Sequence, residues 1–335
     1  MSKIRIAICD DYERAALAGA DWSAVRERAE IVVFEQPFAS LDDAAQQLRD
    51  FDAICLMRER LSCQAALLER LPRLRFIVFT GQRNAAVDHV TAGRRGVVVS
   101  NTPGGPVKAC TAEQTWALIL AGAKHLAAAD AGVRAGYWRG DGQGARYPLP
   151  FCLEGERLGV IGLGAIGERV ARIGQAFGME VLAWSNNLSE ERAAEVGARR
   201  VAREELFSSC RVITLHLVLS ARSRGIVGAA DLARMAPNSL LVNTSRAGLV
   251  EDGALLAALR SGRPAHAALD VFTTEPLPAS DPLLALPNVT ISPHLGYATE
   301  PVFKAHHMGM VEALGAWLAG APIRVVNADD LVKPG

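Results

Sequence analysis

Three short segments late in the chain carry residues suited to moving a proton beside a carboxylate. NTSRAGLVED (243–252) supplies Arg246, ALDVFTTEPLP (268–278) supplies Asp270 and Glu275, and SPHLG (292–296) supplies His294. Together they offer a fixed cation, carboxylates and a titratable imidazole. An arginine binds a substrate carboxylate bidentately. An imidazole transfers a hydroxyl proton, and a neighbouring carboxylate orients it and favours its charged form. Oxidising an alcohol next to a carboxylate, or the reverse reduction, calls for that set. Taken one at a time, each residue has an ordinary reading: a surface Arg or helix cap, a solvated Glu, a packed His. Their order behind a phosphate-cradling loop is what raises them.

That loop is VIGLGAIG (160–167), in which Gly162, Gly164 and Gly167 match G-x-G-x-x-G. It closes an apolar strand and opens a helical pattern over 165–177, with a further strand after it, the β-α-β setting the motif requires. Gly162 permits the tight turn, Gly164 admits a pyrophosphate to the backbone, and Gly167 allows close helix–strand packing. The helix start, with Ala165 and Ile166, offers free N–H groups and the positive dipole end. The alternative is a glycine-rich turn without a ligand. An acid at the end of the second strand would bind a ribose 2′-hydroxyl and repel a 2′-phosphate. Here Ser185, Asn186 and Asn187 stand there instead. They hydrogen-bond hydroxyls without repelling phosphate, or they form a plain polar turn. A dinucleotide is expected, NAD before NADP, with NADP not excluded. Thr244, beside the Arg246 strand end, and His216, in TLHLVLS, join the candidate cofactor residues; for His216 structural packing is the simpler role.

The elements that position these groups form two alternating series. IRIAIC (4–9), IVVF (31–34), AICLM (53–57), FIVF (76–79) and VVV (97–99) read as strands separated by helical patterns. After the NTPGGP break (101–106) comes a long helical pattern, 107–128, with Trp116, Ile119 and Leu120 on one face. LGVIG (158–162), EVLAW (180–184), RVITL (211–215), SLLVN (239–243), AALD (267–270) and VTIS (289–292) form the second series, and a last helix covers 301–318. Almost wholly apolar strands alternating with helices predict parallel sheets covered on both faces.

The chain has 335 residues, a formal net charge of zero and an apolar half. Roughly two domains are expected at that length. A neutral chain is a poor partner for nucleic acid or an anionic membrane surface. No uncharged apolar run approaches the ~20 residues of a membrane span, and the start lacks a signal or transit pattern. A cytoplasmic protein is expected. The cysteines (Cys9, Cys55, Cys63, Cys110, Cys152, Cys210) show no C-x-x-C or zinc spacing, so reduced thiols and no metal site are expected.

From VIGLGAIG through NTSRAGLV and LDVFTTEPLP to SPHLG the chain resembles the D-isomer-specific 2-hydroxyacid dehydrogenases, the family of phosphoglycerate, glyoxylate/hydroxypyruvate, D-lactate and formate dehydrogenases. NTPGGPVKACTAEQTWALILA and the Gly-Tyr-Trp at 136–138 also look like family segments. The resemblance spans nearly the whole chain. It implies α/β architecture with two Rossmann-like doubly wound parallel sheets, the cofactor domain (103–296) inserted into a flavodoxin-like substrate domain (1–102 plus 297–335). It further implies long helices joining the domains, a cleft that closes over substrate, and a dimer arm at 126–150, hence a homodimer. It implies catalytic roles for Arg246, Glu275 and His294, with Glu275 hydrogen-bonding His294, and contact of Asp270 with the nicotinamide carboxamide. The small 2-hydroxy or 2-keto acid would meet backbone N–H groups near Gly81 in TGQRNAAVD (80–88), with Gln82, Arg83 and Asn84 as candidate contacts or as a capped helix start. Arg58 and Arg60, in LMRERLS, occupy a segment that contacts phosphate in phosphoglycerate dehydrogenases; a solvated pair is the alternative. Ser185 stands where NAD-specific members commonly carry Asp, and Val218 where Pro is common. Two other readings remain: a phosphoglycerate dehydrogenase without the regulatory domain, which is not expected after residue 335, and a dinucleotide-sensing scaffold of the corepressor type.

Overall fold

The computed structural model describes residues 3–140 and 148–332. The chain forms two compact units, Met1–Pro106 with Thr299–Gly335, and Val107–Ala298.

The first unit holds strands β1 (Ile4–Cys9), β2 (Ala29–Val33), β3 (Ala53–Leu56), β4 (Phe76–Phe79) and β5 (Val98–Asn101). They run parallel in the order β2-β1-β3-β4-β5, the flavodoxin-like arrangement. Alternate side chains feed two cores. Ala7, Cys9, Ile54, Leu56, Ile77 and Phe79 pack with Leu48, Leu67 and Leu68 on one face. Ile6, Ile8, Ala53, Cys55, Phe76 and Val78 pack with Met310, Ala313 and Leu314 on the other. The last three belong to helix Glu300–Leu318, so this face is completed by the returning chain. Phe76 stacks on Trp317 at 5.0 Å between centroids. The edge of β5 is closed the same way: Asn327 takes the Val99 N–H at 2.9 Å and gives its amide to the Val97 carbonyl at 3.0 Å.

The second unit holds β6 (Arg157–Ile161), β7 (Glu180–Trp184), β8 (Arg199–Arg200), β9 (Val212–Leu215), β10 (Leu240–Asn243), β11 (His266–Leu269) and β12 (Val289–Ile291). All are parallel, in the order β12-β11-β10-β9-β6-β7-β8. Numbered within the unit this is 7-6-5-4-1-2-3, the Rossmann order with one added strand. Trp116, Ile119, Val170 and Ala171 cover one face, and Leu206, Phe207, Leu232 and Leu249 cover the other.

Two expectations are corrected. The helix expected over 107–128 ends at Lys124; His125 takes φ +52, and a second helix runs Leu126–Arg134. A left-handed residue interrupts the i→i−4 ladder, and nothing as overt as a proline marks it. Strand β8 was not expected, because two exposed arginines form no apolar run. Part of the expected arm, residues 141–147, lies outside the described residues. Among the described residues, no helix is long and apolar enough to cross a membrane.

Candidate active site

Because the strands of the second unit are parallel, the residues just after each one share a sheet edge. Gly162 follows β6, Ser185 follows β7, His216 follows β9, Thr244 and Arg246 follow β10, Asp270 follows β11, and His294 comes three residues after β12. Open α/β sheets bind ligands at this edge.

His294 and Glu275 meet directly, with Nδ1 2.6 Å from Oε2. Their side chains are 30% and 36% exposed, so the pair is open to a small molecule. The other Glu275 oxygen accepts the Phe272 N–H at 2.8 Å, which fixes the carboxylate. Burial pushes the Glu275 carboxyl up. The His294 hydrogen bond, the Phe272 N–H and the charges of His294 and Arg246 outweigh it and hold the carboxyl below its ordinary range. His294 has φ +56, and the Tyr297 ring stands edge-on to it at 5.6 Å. Arg246, half-buried, gives Nη1 to the Ser245 carbonyl at 2.8 Å, and its own carbonyl accepts the Asn243 amide at 3.0 Å.

Asp270 is fully buried and turned toward the His294 segment. Its oxygens accept the Leu295 and Gly296 N–H groups at 2.8 Å each, as well as the Ser292 hydroxyl. Burial pushes its carboxyl up, opposed by those hydrogen bonds and the charge of His294. Both of its carboxylate oxygens are thus bonded to 292–296, and Gln114 Nε2 lies 3.5 Å from Oδ1.

The glycine loop fits a pyrophosphate. Gly162 has φ +97, and a Cβ there would lie 2.9 Å from the His216 carbonyl oxygen. A Cβ on Gly167 would collide with the Gly162 carbonyl, so the first turn of helix Ala165–Ala176 approaches the loop this closely only with a glycine there. Gly164 is exposed at the helix start, and a Cβ there would meet nothing within 4 Å. Protein packing does not demand that glycine, whereas close approach of a diphosphate does. Ala165 is exposed and Ile166 half-buried beside it. After β7, Ser185 is half-buried and Asn186 and Asn187 are exposed. Arg192 binds Glu168 at 2.6 Å and Glu195 at 2.8 Å. Thr244 and His216 are engaged within the protein: Thr244 Oγ1 lies 2.7 Å from Thr115 Oγ1, and His216 Nε2 lies 3.0 Å from Thr214 Oγ1. Burial pushes the His216 imidazole down to about 3, so it is neutral.

In the first unit, Gly81 and Gln82 follow β4. Gly81 has φ +85, and Arg58 Nη1 lies where its Cβ would be. The Gly81 N–H itself is donated to Thr102 Oγ1 at 3.0 Å. The buried strand-end hydroxyl outcompetes solvent for it, and the exposed Gln82 and Arg83 come next in the loop. Arg58 has φ +54; its N–H goes to Thr80 Oγ1 at 2.7 Å, its Nη1 to the Thr80 carbonyl at 3.3 Å, and its carbonyl accepts the Asn84 amide. Arg60 binds Glu13 with both Nη atoms, at 2.9 and 2.6 Å.

The family model described as D-isomer specific 2-hydroxyacid dehydrogenase, NAD binding domain, matches residues 116–296. The chain belongs to this family. It is 40% identical over 285 residues to a glyoxylate reductase of Aeropyrum pernix, covering 84% of each chain. It is 31% identical over 309 residues to a hydroxypyruvate reductase of Blautia hydrogenotrophica, covering 92% of this chain and 95% of the other. A crystal structure of a phosphoglycerate oxidoreductase from Vibrio cholerae superimposes with a TM-score of 0.87 at 36% identity, covering 95% of this chain and all of the other. The chain is thus a D-2-hydroxyacid dehydrogenase by family, with a domain for a nicotinamide dinucleotide.

For a dehydrogenase of this family, the sequence reading missed the groups that hold the pair in place. Gln114 gives Nε2 to Ser292 Oγ at 3.0 Å, and Ser292 in turn donates to Asp270. Thr111 donates to the Gly296 carbonyl at 3.0 Å. Both Thr111 and Gln114 lie in VKACTAEQTW, where polar residues interrupt an apolar helix; that interruption was the available signal.

Proposed function

We propose that this chain reduces a small 2-keto acid to its D-2-hydroxy acid, using NADH in preference to NADPH, and runs the reverse oxidation by the same groups. The observation that carries the reading is the 2.6 Å pair of His294 and Glu275, open to solvent at a Rossmann strand edge with the Arg246 charge close enough to act on Glu275. The bound dinucleotide supplies or accepts hydride at nicotinamide C4. Arg246 holds the substrate carboxylate and polarises the keto oxygen. His294, its Nδ1 held by Glu275, delivers a proton from Nε2 to that oxygen, and takes it back in oxidation. Glu275 keeps the ring oriented. Asp270 fixes the backbone beyond His294. In the first unit taken by itself, the exposed 82–83 backbone, with Arg58 beside Gly81, offers N–H groups suited to an anion.

NAD is favoured because the groups after β7 are neutral, while Arg192, the arginine nearest along the chain, is committed to Glu168 and Glu195. An unphosphorylated substrate is favoured over phosphoglycerate because Arg60 is neutralised by Glu13. Exposed Leu126, Val133, Tyr137, Trp138 and Leu149 support a homodimer formed through this segment. The free cysteines, without a disulfide among them, fit a reducing cytoplasm.

The test is oxidation of NADH and NADPH with a panel of 2-keto acids, read by absorbance. Turnover of glyoxylate, pyruvate or hydroxypyruvate with NADH is the expected result. Tight NADH binding with no turnover of any acid would favour the sensing scaffold instead.

A further inference from the structure

Helix Val107–Lys124 packs Ala112, Trp116, Ile119 and Ala123 into the core on one face of the second sheet. Thr111, Gln114 and Thr115 interrupt that apolar pattern. Three and four residues apart, they lie side by side on the helix. Between them they reach the segments after β10, β11 and β12, which carry Arg246, Glu275 and His294. Thr115 Oγ1 lies 2.7 Å from Thr244 Oγ1, two residues before Arg246. Thr111 donates to the Gly296 carbonyl at 3.0 Å, two residues after His294. Gln114 stands between these contacts and meets both Ser292 and Asp270.

The direction of the Gln114 bond follows from counting protons. Ser292 has one hydroxyl proton, and it goes to Asp270 Oδ1. The Ser292 oxygen is then left as an acceptor, and it takes Gln114 Nε2 at 3.0 Å. A donor is therefore required at 114. An acceptor there would compete with Asp270 for the Ser292 proton.

Ser292 also holds the backbone of His294, because its carbonyl accepts the His294 N–H at 3.0 Å. His294 has φ +56. A residue with a side chain stays in that region only where its surroundings fix it. Here they do so twice: Ser292 binds the N–H of His294, and Asp270 binds those of Leu295 and Gly296. Burial pushes the Asp270 carboxyl up, and the Ser292 hydroxyl leads the bonds that oppose it. The hydroxyl that Gln114 orients thus serves both supports of the His294 turn.

We propose that Gln114 is a positioning residue of the reaction: its amide fixes the Ser292 hydroxyl toward Asp270, and through these two residues it holds the turn that presents the His294 imidazole to substrate. This rests on the reading of His294 as the acid/base group.

Two variants test it, each assayed with NADH and a 2-keto acid that the wild type reduces. Gln114→Met keeps the length and removes the donor. Its kcat should fall by about tenfold or more, with KM little changed. Gln114→Glu keeps the shape and sets a second carboxyl beside Asp270. Two carboxyl groups so close share a proton before both ionise. While that proton is held, the 114 carboxyl donates as the amide did; once it leaves, the donor is gone. His294 is the charged group that acts on Asp270, and dividing by the wild-type kcat removes the titration that both proteins share. The ratio of Gln114→Glu to wild-type kcat should therefore fall from near unity toward the Gln114→Met level as pH rises from about 5 to about 9. A ratio that is flat with pH, or a kcat within about twofold of the wild type in Gln114→Met, overturns the proposal, since the amide then only fills space. If Gln114→Met fails to melt cooperatively, the pH profile of Gln114→Glu decides alone; if neither variant folds, Gln114 serves folding and the proposal is overturned. No turnover by the wild type, or near-normal turnover by His294→Ala, overturns the parent reading and this one with it. An active wild type and an inactive His294→Ala beside an unaffected Gln114→Met overturn this one alone.

Discussion

Asp270 Oδ2 accepts the Gly296 N–H at 2.8 Å, tying the end of β11 to the residues that follow His294. Five residues on, Glu275 binds the His294 ring itself. The two carboxylates thus divide the work on one histidine: the buried one holds its backbone, the exposed one its imidazole. Mutation separates these tasks.

His294→Ala removes the proton donor and leaves the dinucleotide loop intact. The expected loss in kcat is about 10²–10⁴-fold, with NADH affinity unchanged by fluorescence titration. Near-normal turnover would remove His294 from the mechanism.

Glu275→Gln keeps the shape and loses the charge. Turnover should fall by about tenfold or more with KM little changed. Stability gives an independent check. The folded Glu275 carboxyl lies below its ordinary value of 4.5. Its contribution to stability is therefore complete above that value and is lost as pH falls through the lower folded one. Between about pH 5 and pH 3, the melting temperature of the wild type should drop more than that of Glu275→Gln.

Asp270→Ala strands the Leu295 and Gly296 N–H groups. Each costs about 1–3 kcal/mol when left unsatisfied. Chemical denaturation should show that loss, and kcat should fall with it because His294 is no longer fixed.

Gly164→Ala and Gly167→Ala should diverge. Gly164 has φ −83, ψ −167 and no neighbour where a Cβ would go, so alanine there should stabilise the ligand-free protein by about 0.5 kcal/mol. NADH affinity should nevertheless fall by at least about tenfold, because the methyl group stands where the diphosphate must approach. Gly167→Ala should cost about 1–3 kcal/mol of stability without any ligand, from the collision with the Gly162 carbonyl. Equal effects of the two on NADH binding alone would show that the loop does not hold the diphosphate in this way.

Ser185→Asp places a negative charge after β7. The preference for NADH over NADPH should rise by about tenfold, measured as a ratio of kcat/KM. An unchanged ratio would put the ribose elsewhere.

The strands with apolar runs were legible almost to the residue, as with Ile4–Cys9, Phe76–Phe79 and Glu180–Trp184. A strand buried on both faces leaves little freedom in residue type. Arg199–Arg200 was not legible, since an exposed edge strand imposes no such constraint. Nor was the break at His125, where the apolar spacing continues across a backbone that has changed hand. In the site, the Glu275–His294 approach was expected from their motifs. The bonds of Asp270 to 295 and 296, and of Thr102 to Gly81, join residues 21 to 26 positions apart through backbone N–H groups. A backbone donor has no letter in the sequence, so such bonds leave no trace there.

Residues 1–106 contribute every strand of the first sheet, yet helix Glu300–Leu318 and Asn327 complete one of its faces and its β5 edge. During synthesis from the N-terminus, Ile6, Ile8, Phe76 and Val78 therefore wait roughly two to three hundred residues for Met310, Ala313 and Leu314. The second unit is fully translated during that interval and can fold first. Until that helix is made, one apolar face of the first sheet has no cover from the chain that follows it.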